Sequence, residues 1–180
     1  MGRGFLLKGN VETMDVEIGK SYHIKDEFFL LVNDSKLMTN KENGAYRPHF
    51  FFFADPHTKG IYWAIPQSSR IAKYQKIIKD KIFKYGKCNT IVIGNFGGKD
   101  SAFLIQNMFP IIEKYVDHEH TIGGASVNIH QALSKNIISN AKEVLSLYHS
   151  NRNLMFPDVE KIYDIMKNEL NAQTAEHNAQ

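Results

Sequence analysis

An apolar run, Ile61-Tyr-Trp-Ala-Ile65, passes through Pro66-Gln67-Ser68-Ser69-Arg70 into a long basic amphipathic pattern, and this junction constrains the chain more than any other stretch. Apolar side chains recur at Ile71, Tyr74, Ile77/Ile78, Ile82 and Tyr85, the three-to-four spacing of a helix, and Gly86 supplies its stop. Either Ser68 or Ser69 is the expected N-cap. A helix start leaves backbone N–H groups without partners and carries the positive end of the helix dipole, so it favours an anion. Two hydroxyls and the Arg70 guanidinium add donors. The junction therefore reads as a phosphate site.

Arg70, Lys73, Lys76, Lys79, Lys81, Lys84 and Lys87 put positive charge on this helix, with Asp80 the only acid among them. The local field attracts polyanions, which the whole-chain net charge of +3 would not do alone. A Lys-rich face also has a plain use in keeping an amphipathic helix soluble. Its coincidence with a Ser-Ser-Arg helix start points instead to the phosphates of RNA.

At 180 residues and 43% hydrophobic, the chain suits one packed domain. A single cysteine, Cys88, excludes an internal disulfide framework and an all-cysteine zinc site, and suits a small buried apolar role in a reducing cytoplasm. No apolar run approaches the roughly 18 residues that span a bilayer, and Met1 to Lys8 is too short for a signal-peptide core. A cytoplasmic location without a membrane partner is expected. Residues 1–14 read as a flexible N-terminal segment with Met14 as an alternative start, residues 15–172 as the domain, and residues 173–180 as a flexible polar tail.

Tyr22 to Phe29 opens the pattern, Phe28 to Val32 is a short apolar segment, and Asn33 to Ala45 is a polar loop containing Asn43-Gly44. Arg47 to Phe53 and Ile61 to Ile65 read as a hairpin turning at Asp55 to Gly60. Thr90 to Ile93 and Ala102 to Met108 read as a second, turning at Gly94 to Asp100 and ended by Pro110. Tyr115 to Asn128 is a loop or short hairpin. Helical spacing returns at Leu133, Ile137, Ala141, Val144, Leu145 and Tyr148, for a helix over Gln131 to Tyr148, and Pro157 opens a last helix, Asp158 to Leu170. The fold class is α+β: a small, strongly bent antiparallel sheet or partly open barrel, with a basic helix and C-terminal helices. Phe50 to Phe53 and Trp63 belong mostly to the core, since four aromatics in a row imply burial on both faces.

Two other constellations carry less. Asp117-His118-Glu119-His120 has metal-ligand residue types, but on a polar loop without a distant partner set it reads as solvated, so no metal site is expected. Gly94 to Asp100 is a hairpin turn and not a phosphate loop, because its Gly-Lys is followed by Asp and then a strand. The chain has no Gly-x-Ser-x-Gly elbow.

The ordered set Arg47-Pro48, aromatic strand, Ile65-Pro66-Gln67-Ser68-Ser69-Arg70, basic helix, Gln106-Asn107-Met108-Phe109-Pro110 resembles the toxins of type III toxin–antitoxin systems, the ToxN/AbiQ/CptN family. The CptN branch looks nearest, through Pro66 to Tyr74 and Phe156-Pro-Asp-Val159. The resemblance covers roughly residues 20–170. It implies an endoribonuclease on an SH3-like, partly open small barrel related to the MazF/Kid toxins, using no metal or other cofactor. It also implies inhibition by a repeat-derived, pseudoknotted antitoxin RNA that the toxin processes, an RNA-bridged oligomer, and cellular or phage RNA as substrate in phage defence. A noncatalytic RNA-binding module on the same barrel, or a MazF-like toxin held by a protein antitoxin, are the alternatives. Two positions depart from the family pattern: Arg70 stands where many relatives have Lys, and Gln106 where they have Asn.

Residue by residue, the resemblance assigns catalysis to Ser68, Ser69, Arg70, Lys73 and Tyr46, and RNA contact to Arg47, Gln106 and Asn107; the basic helix face adds Lys76, Lys79 and Lys84 as RNA contacts, and His49 on the adjacent strand is a further one. In metal-free cleavage the 2′-hydroxyl attacks the adjacent phosphorus and leaves 2′,3′-cyclic phosphate and 5′-hydroxyl ends. The protein must then stabilise extra negative charge and move two protons. Ser68, Ser69, Arg70 and the helix-start N–H groups suit the charge. Tyr46, Lys73 and His49 are the proton-transfer candidates, since Arg70 stays protonated.

Overall fold

The computed structural model describes residues 15–148 and 150–178, so the expectations for residues 1–14 lie outside it. In chain order the elements are β1 (Ser21–Ile24), α1 (Asp26–Val32), β2 (Lys41–Glu42), β3 (Ala45–Tyr46), β4 (His49–Ala54), β5 (Ile61–Ser68) and α2 (Ile71–Tyr85). Then come β6 (Ile91–Phe96), β7 (Lys99–Leu104), β8 (Phe109–Ile112), β9 (Val116–Glu119), β10 (Thr121–Ile122), β11 (Ala125–Ser126), α3 (Gln131–Tyr148) and α4 (Val159–Asn178).

Strand β5 organises the sheet. One edge pairs antiparallel with β4; the other is shared, its Ile61–Ala64 part pairing with β8 and its Gln67–Ser68 end with β7. The strand order β6-β7-β5-β4-β1-β9, with β8 beside β5, is an open antiparallel sheet, and no barrel closes among the described residues. The α+β reading holds in its open-sheet form. Ser68, the last residue of β5, is thus held by its pairing with Ala102 of β7 before the chain leaves the sheet.

Both faces of the central strands are covered, which explains the aromatic run. Phe50, Phe52, Trp63 and Ile65 pack with Ile137, Ala141 and Val144 of α3. Phe51, Ile61, Ala64 and Phe109 pack with Phe28 and Val32 of α1 and Ile162 and Met166 of α4. Each of the Phe, Ile, Val and Met side chains among them contributes about 1.5–3 kcal/mol by leaving water.

Several local readings change. Pro110 does not end a strand but lies inside β8 opposite Trp63. The β6–β7 turn is confined to Gly97-Gly98, whose φ values of 62° and 85° favour glycine. Asp117-His118-Glu119 is not a loop: it lies in β9, paired with β1, where His118 stacks on His23 at 4.6 Å between ring centroids. No group of His, Cys, Asp or Glu able to hold a metal ion occurs among the described residues. The last helix begins one residue later than expected, with Asp158 accepting from the Lys161 N–H at its start, and continues past Leu170 to Asn178, so the polar segment after Gln173 is helical that far. No helix among the described residues is long and apolar enough to cross a membrane.

Helix α2 has the expected length and its Gly86 stop at φ 76°, but it is lightly seated. Tyr74 is its one buried residue; Ile82 and Tyr85, expected on the core face, are exposed. The helix therefore lies on the sheet by its N-terminal half and presents the rest to solvent.

Candidate active site

The strand-to-helix junction is built from strand end, kink and helix start. Ser68 completes β5 and is buried, Arg70 has φ −79° and ψ 59°, neither strand nor helix, and Ile71 begins α2 with its N–H bonded to the Ser69 carbonyl at 2.9 Å. Neither serine is the N-cap. That position belongs to Arg70, which makes no side-chain capping bond, because Ser68 is still held in the sheet. The Ser68 hydroxyl does accept from the Arg70 N–H at 3.2 Å, so it braces the kink.

The donors expected to take an anion already hold one. Glu42 projects from the β2–β3 hairpin, whose turn residues Asn43 and Gly44 have φ of 52° and 83°, the paired positive values of a type I′ turn. Its Oε1 accepts from the Ser68 hydroxyl at 2.7 Å and lies 3.5 Å from Arg47 Nη1 and 3.4 Å from Arg70 Nε. Its Oε2 accepts from the Ser69 N–H at 2.9 Å and the Ser69 hydroxyl at 3.1 Å. Burial alone would raise the Glu42 pKa, but the bonds from Ser68 and the Ser69 N–H, the charge of Arg47 and the Ser69 hydroxyl outweigh it and hold the carboxyl below the usual carboxylate range. The site is an oxyanion cradle with a carboxylate in it.

Sequence reasoning misses Glu42. The Asn43-Gly44 pair signals its hairpin, but nothing local announces that this glutamate meets residues 26 and 27 positions away.

The remaining predicted residues divide. Arg47 joins the cradle from behind, buried, donating to the carbonyls of Gln67 and Thr39 as well as facing Glu42. It orders the cradle and is not open to RNA. His49 is 1% exposed, its ring packed against Phe29 and Phe109, and burial with the Arg47 charge pushes its pKa down to about 3. Direct RNA contact is closed to it here. Tyr46 lies on the hairpin beside Lys41, whose ammonium sits 4.4 Å from its ring, and its hydroxyl donates to Asp26 Oδ2 at 2.9 Å. Since neighbouring strand residues face opposite ways, Tyr46 and Glu42 are on opposite sides of the hairpin.

Lys73 is exposed, one turn along α2 from Arg70, and lines a cavity of about 840 Å³ with Lys81, Gln106, Asn107 and Phe156. Gln106 and Asn107 sit in a buried 3₁₀ turn between β7 and β8. Lys81 Nζ donates to Gln106 Oε1 at 2.8 Å and to Thr90 Oγ1 at 2.7 Å, which fixes a cation on the cavity wall. Lys76, Lys79 and Lys84 are exposed on α2 outside this cavity. The cradle thus stands at the start of the basic helix, and the cavity runs along it from Lys73 to Tyr85.

No family model matches the sequence, and no curated protein matches it either. Solved structures do. AbiQ, a lactococcal anti-phage endoribonuclease of a type III toxin–antitoxin system, superposes with a TM-score of 0.61 at 13% identity, over 87% of this chain and 98% of that one. A structure from a bacterial antiviral system regulated by a processed non-coding RNA gives 0.58 at 14% identity, over 82% of this chain and 97% of that one. This chain has their fold. At such identities the agreement concerns architecture, and it matches the architecture that the resemblance read from the sequence implies.

Proposed function

We propose that this chain is an endoribonuclease toxin of the type III kind, cutting RNA at the β5–α2 junction. The observation that carries this reading is the Glu42 carboxylate held by Ser68, Ser69, Arg47 and Arg70: the junction already binds an oxyanion with the hydroxyl, N–H and guanidinium donors that a phosphodiester needs. The shared fold with an endoribonuclease of a type III system supports it. Arg70 and the Ser69 donors would hold the nonbridging oxygens while the 2′-hydroxyl attacks, giving 2′,3′-cyclic phosphate and 5′-hydroxyl ends. These donors meet the developing charge without calling on a metal. The partner is a repeat-derived antitoxin RNA, folded as a pseudoknot and bridging toxin copies, with phage or cellular RNA as the target once toxin is freed. The Lys face and the cavity beside Lys73 provide the path for the strand.

The test is cleavage of single-stranded RNA in excess EDTA. Undiminished cleavage with cyclic phosphate ends is expected; dependence on Mg²⁺, or 5′-phosphate products, would sink the mechanism. Tandem short repeats upstream of the gene would identify the antitoxin as RNA, whereas a small acidic reading frame would point to a protein.

The solvent-facing lysines make a separate prediction. Lys76, Lys79 and Lys84 are exposed and away from the cradle, so each contributes chiefly through counterion release, with a slope of about 0.7 per phosphate contact on single strands. Replacing all three by Gln should flatten the dependence of log K on log salt by about 2. Titrations at several salt concentrations measure it, and an unchanged slope would leave these lysines as a solvated face only.

A further inference from the structure

We infer that Glu42 is the general base of the reaction, taking the 2′-hydroxyl proton while Ser68 and Arg47 keep its carboxylate in place. This rests on the endoribonuclease reading of the junction and adds to it the residue that moves the first proton. Among the described residues, Glu42 is the one ionisable acceptor in contact with Ser68, Ser69 and Arg70. The two guanidiniums are donors without acceptor capacity. His49 is sealed in the core, and Tyr46 faces the other side of the hairpin with its hydroxyl given to Asp26.

The two carboxylate oxygens are held differently, and that difference lets a phosphate enter without expelling the base. Oε1 is fixed from the protein interior by Ser68, 2% exposed, and Arg47, 4% exposed, and its one exposed partner is Arg70 at 3.4 Å. Oε2 is fixed by Ser69, which is exposed and stands at the open end of the junction with Arg70. A phosphodiester that takes over the Ser69 N–H, the Ser69 hydroxyl and Arg70 leaves Oε1 on Ser68 and Arg47 and frees the lone pairs of Oε2 toward the nucleotide. Losing two hydrogen bonds and gaining a neighbouring negative charge both raise a carboxylate's proton affinity. Substrate binding itself would therefore strengthen the base.

The step balances. The 2′-oxygen–phosphorus bond forms and the phosphorus–5′-oxygen bond breaks. The 2′ proton passes to Glu42 Oε2 and on to solvent, and the leaving 5′-oxygen takes a proton from water. The charged groups facing Glu42 are Arg47, on the link to β4, and Arg70, at the start of α2; neither loses its proton near neutral pH, so an acid limb in the rate belongs to the glutamate.

The experiment compares wild type with Glu42→Gln on an end-labelled pool of single-stranded oligoribonucleotides of random sequence. Binding is measured separately on the 2′-deoxy version of the same pool, which lacks the nucleophile. Glu42→Gln should bind the deoxy pool at least as tightly as wild type, yet cut the ribonucleotide pool roughly 10²–10⁴-fold more slowly in single turnover. At RNA and enzyme concentrations well below saturation, where the rate reports the free enzyme, wild-type cleavage should fall only below the ordinary carboxylate range, and at saturation the limb should lie higher; circular dichroism should stay constant, and the limb should vanish in the variant. If Glu42→Gln is unfolded, Glu42→Ala is assayed with added formate, which should restore cleavage. A folded variant that cuts within a few-fold of wild type would overturn the assignment and leave Glu42 as a mere occupant of the site. Wild type that binds the pool but never cuts it would overturn the endoribonuclease reading, and this inference with it.

Discussion

Replacing Arg47 by Ala will destabilise the fold by about 3–5 kcal/mol, the scale of breaking one side of a buried ion pair. Arg47 is 4% exposed and spends its guanidinium on three partners: the Gln67 carbonyl at the end of β5, the Thr39 carbonyl in the loop before β2, and the Glu42 carboxylate. Truncation would strip the buried Gln67 carbonyl and the part-buried Thr39 carbonyl of their donor and leave the carboxylate without its inner cation, so the cost is mainly that of stranded polar groups. Arg47→Lys keeps the charge but not the planar fork, and it should recover only part of the loss. Urea denaturation gives the difference directly. A loss below 1 kcal/mol in Arg47→Ala would show that Glu42 does not depend on Arg47. In the double variant Arg47→Ala, Glu42→Gln, the two costs should fall short of additivity, because the charge stranded by the first change is removed by the second.

This dual character of Arg47 marks where sequence reasoning stops. Periodicity captures what local patterning determines: the apolar spacing from Leu133 to Tyr148 bounds α3 as it stands, and Gly86 closes α2 in the left-handed conformation. The aromatic run at Phe50 to Phe52 correctly signals a strand buried on both sides. Other features are set by distant partners. Pro110 looks like a strand end until β5 pairs with it, and the polar β9 is a strand because β1 offers it an edge. Arg47 and His49 carry residue types expected at a surface, yet the carbonyl of Gln67 draws the guanidinium inward and the rings of Phe29 and Phe109 enclose the imidazole. That Ser68, Ser69 and Arg70 stand together is legible because it follows from adjacency at one junction. Glu42 is not, because its contacts with them depend on a hairpin folding back across the end of β5.

Ser69 and Arg70 should then behave unlike Arg47. Both are exposed, and neither supports the core, so Ser69→Ala and Arg70→Ala should change stability by no more than about 0.5 kcal/mol. Cleavage should fall by about 10²–10³ in each, the scale for removing one donor aimed at developing charge. A bound phosphodiester carries one negative charge over its nonbridging oxygens, and the attacked phosphorus carries nearly two, so donors fixed at the junction gain most in the transition state. The deficit should therefore appear mainly in the single-turnover rate, with affinity for the 2′-deoxy strand little changed. Ser69→Ala keeps its backbone N–H and should be the milder of the two. Ser68→Ala should differ again: its hydroxyl anchors Glu42, so its effect should follow the acid limb of the pH–rate profile and not the affinity. If Ser69→Ala and Arg70→Ala both fold and cut like wild type, the β5–α2 junction is not where RNA is cleaved, and the cavity beside Lys73, Gln106 and Asn107 becomes the place to look.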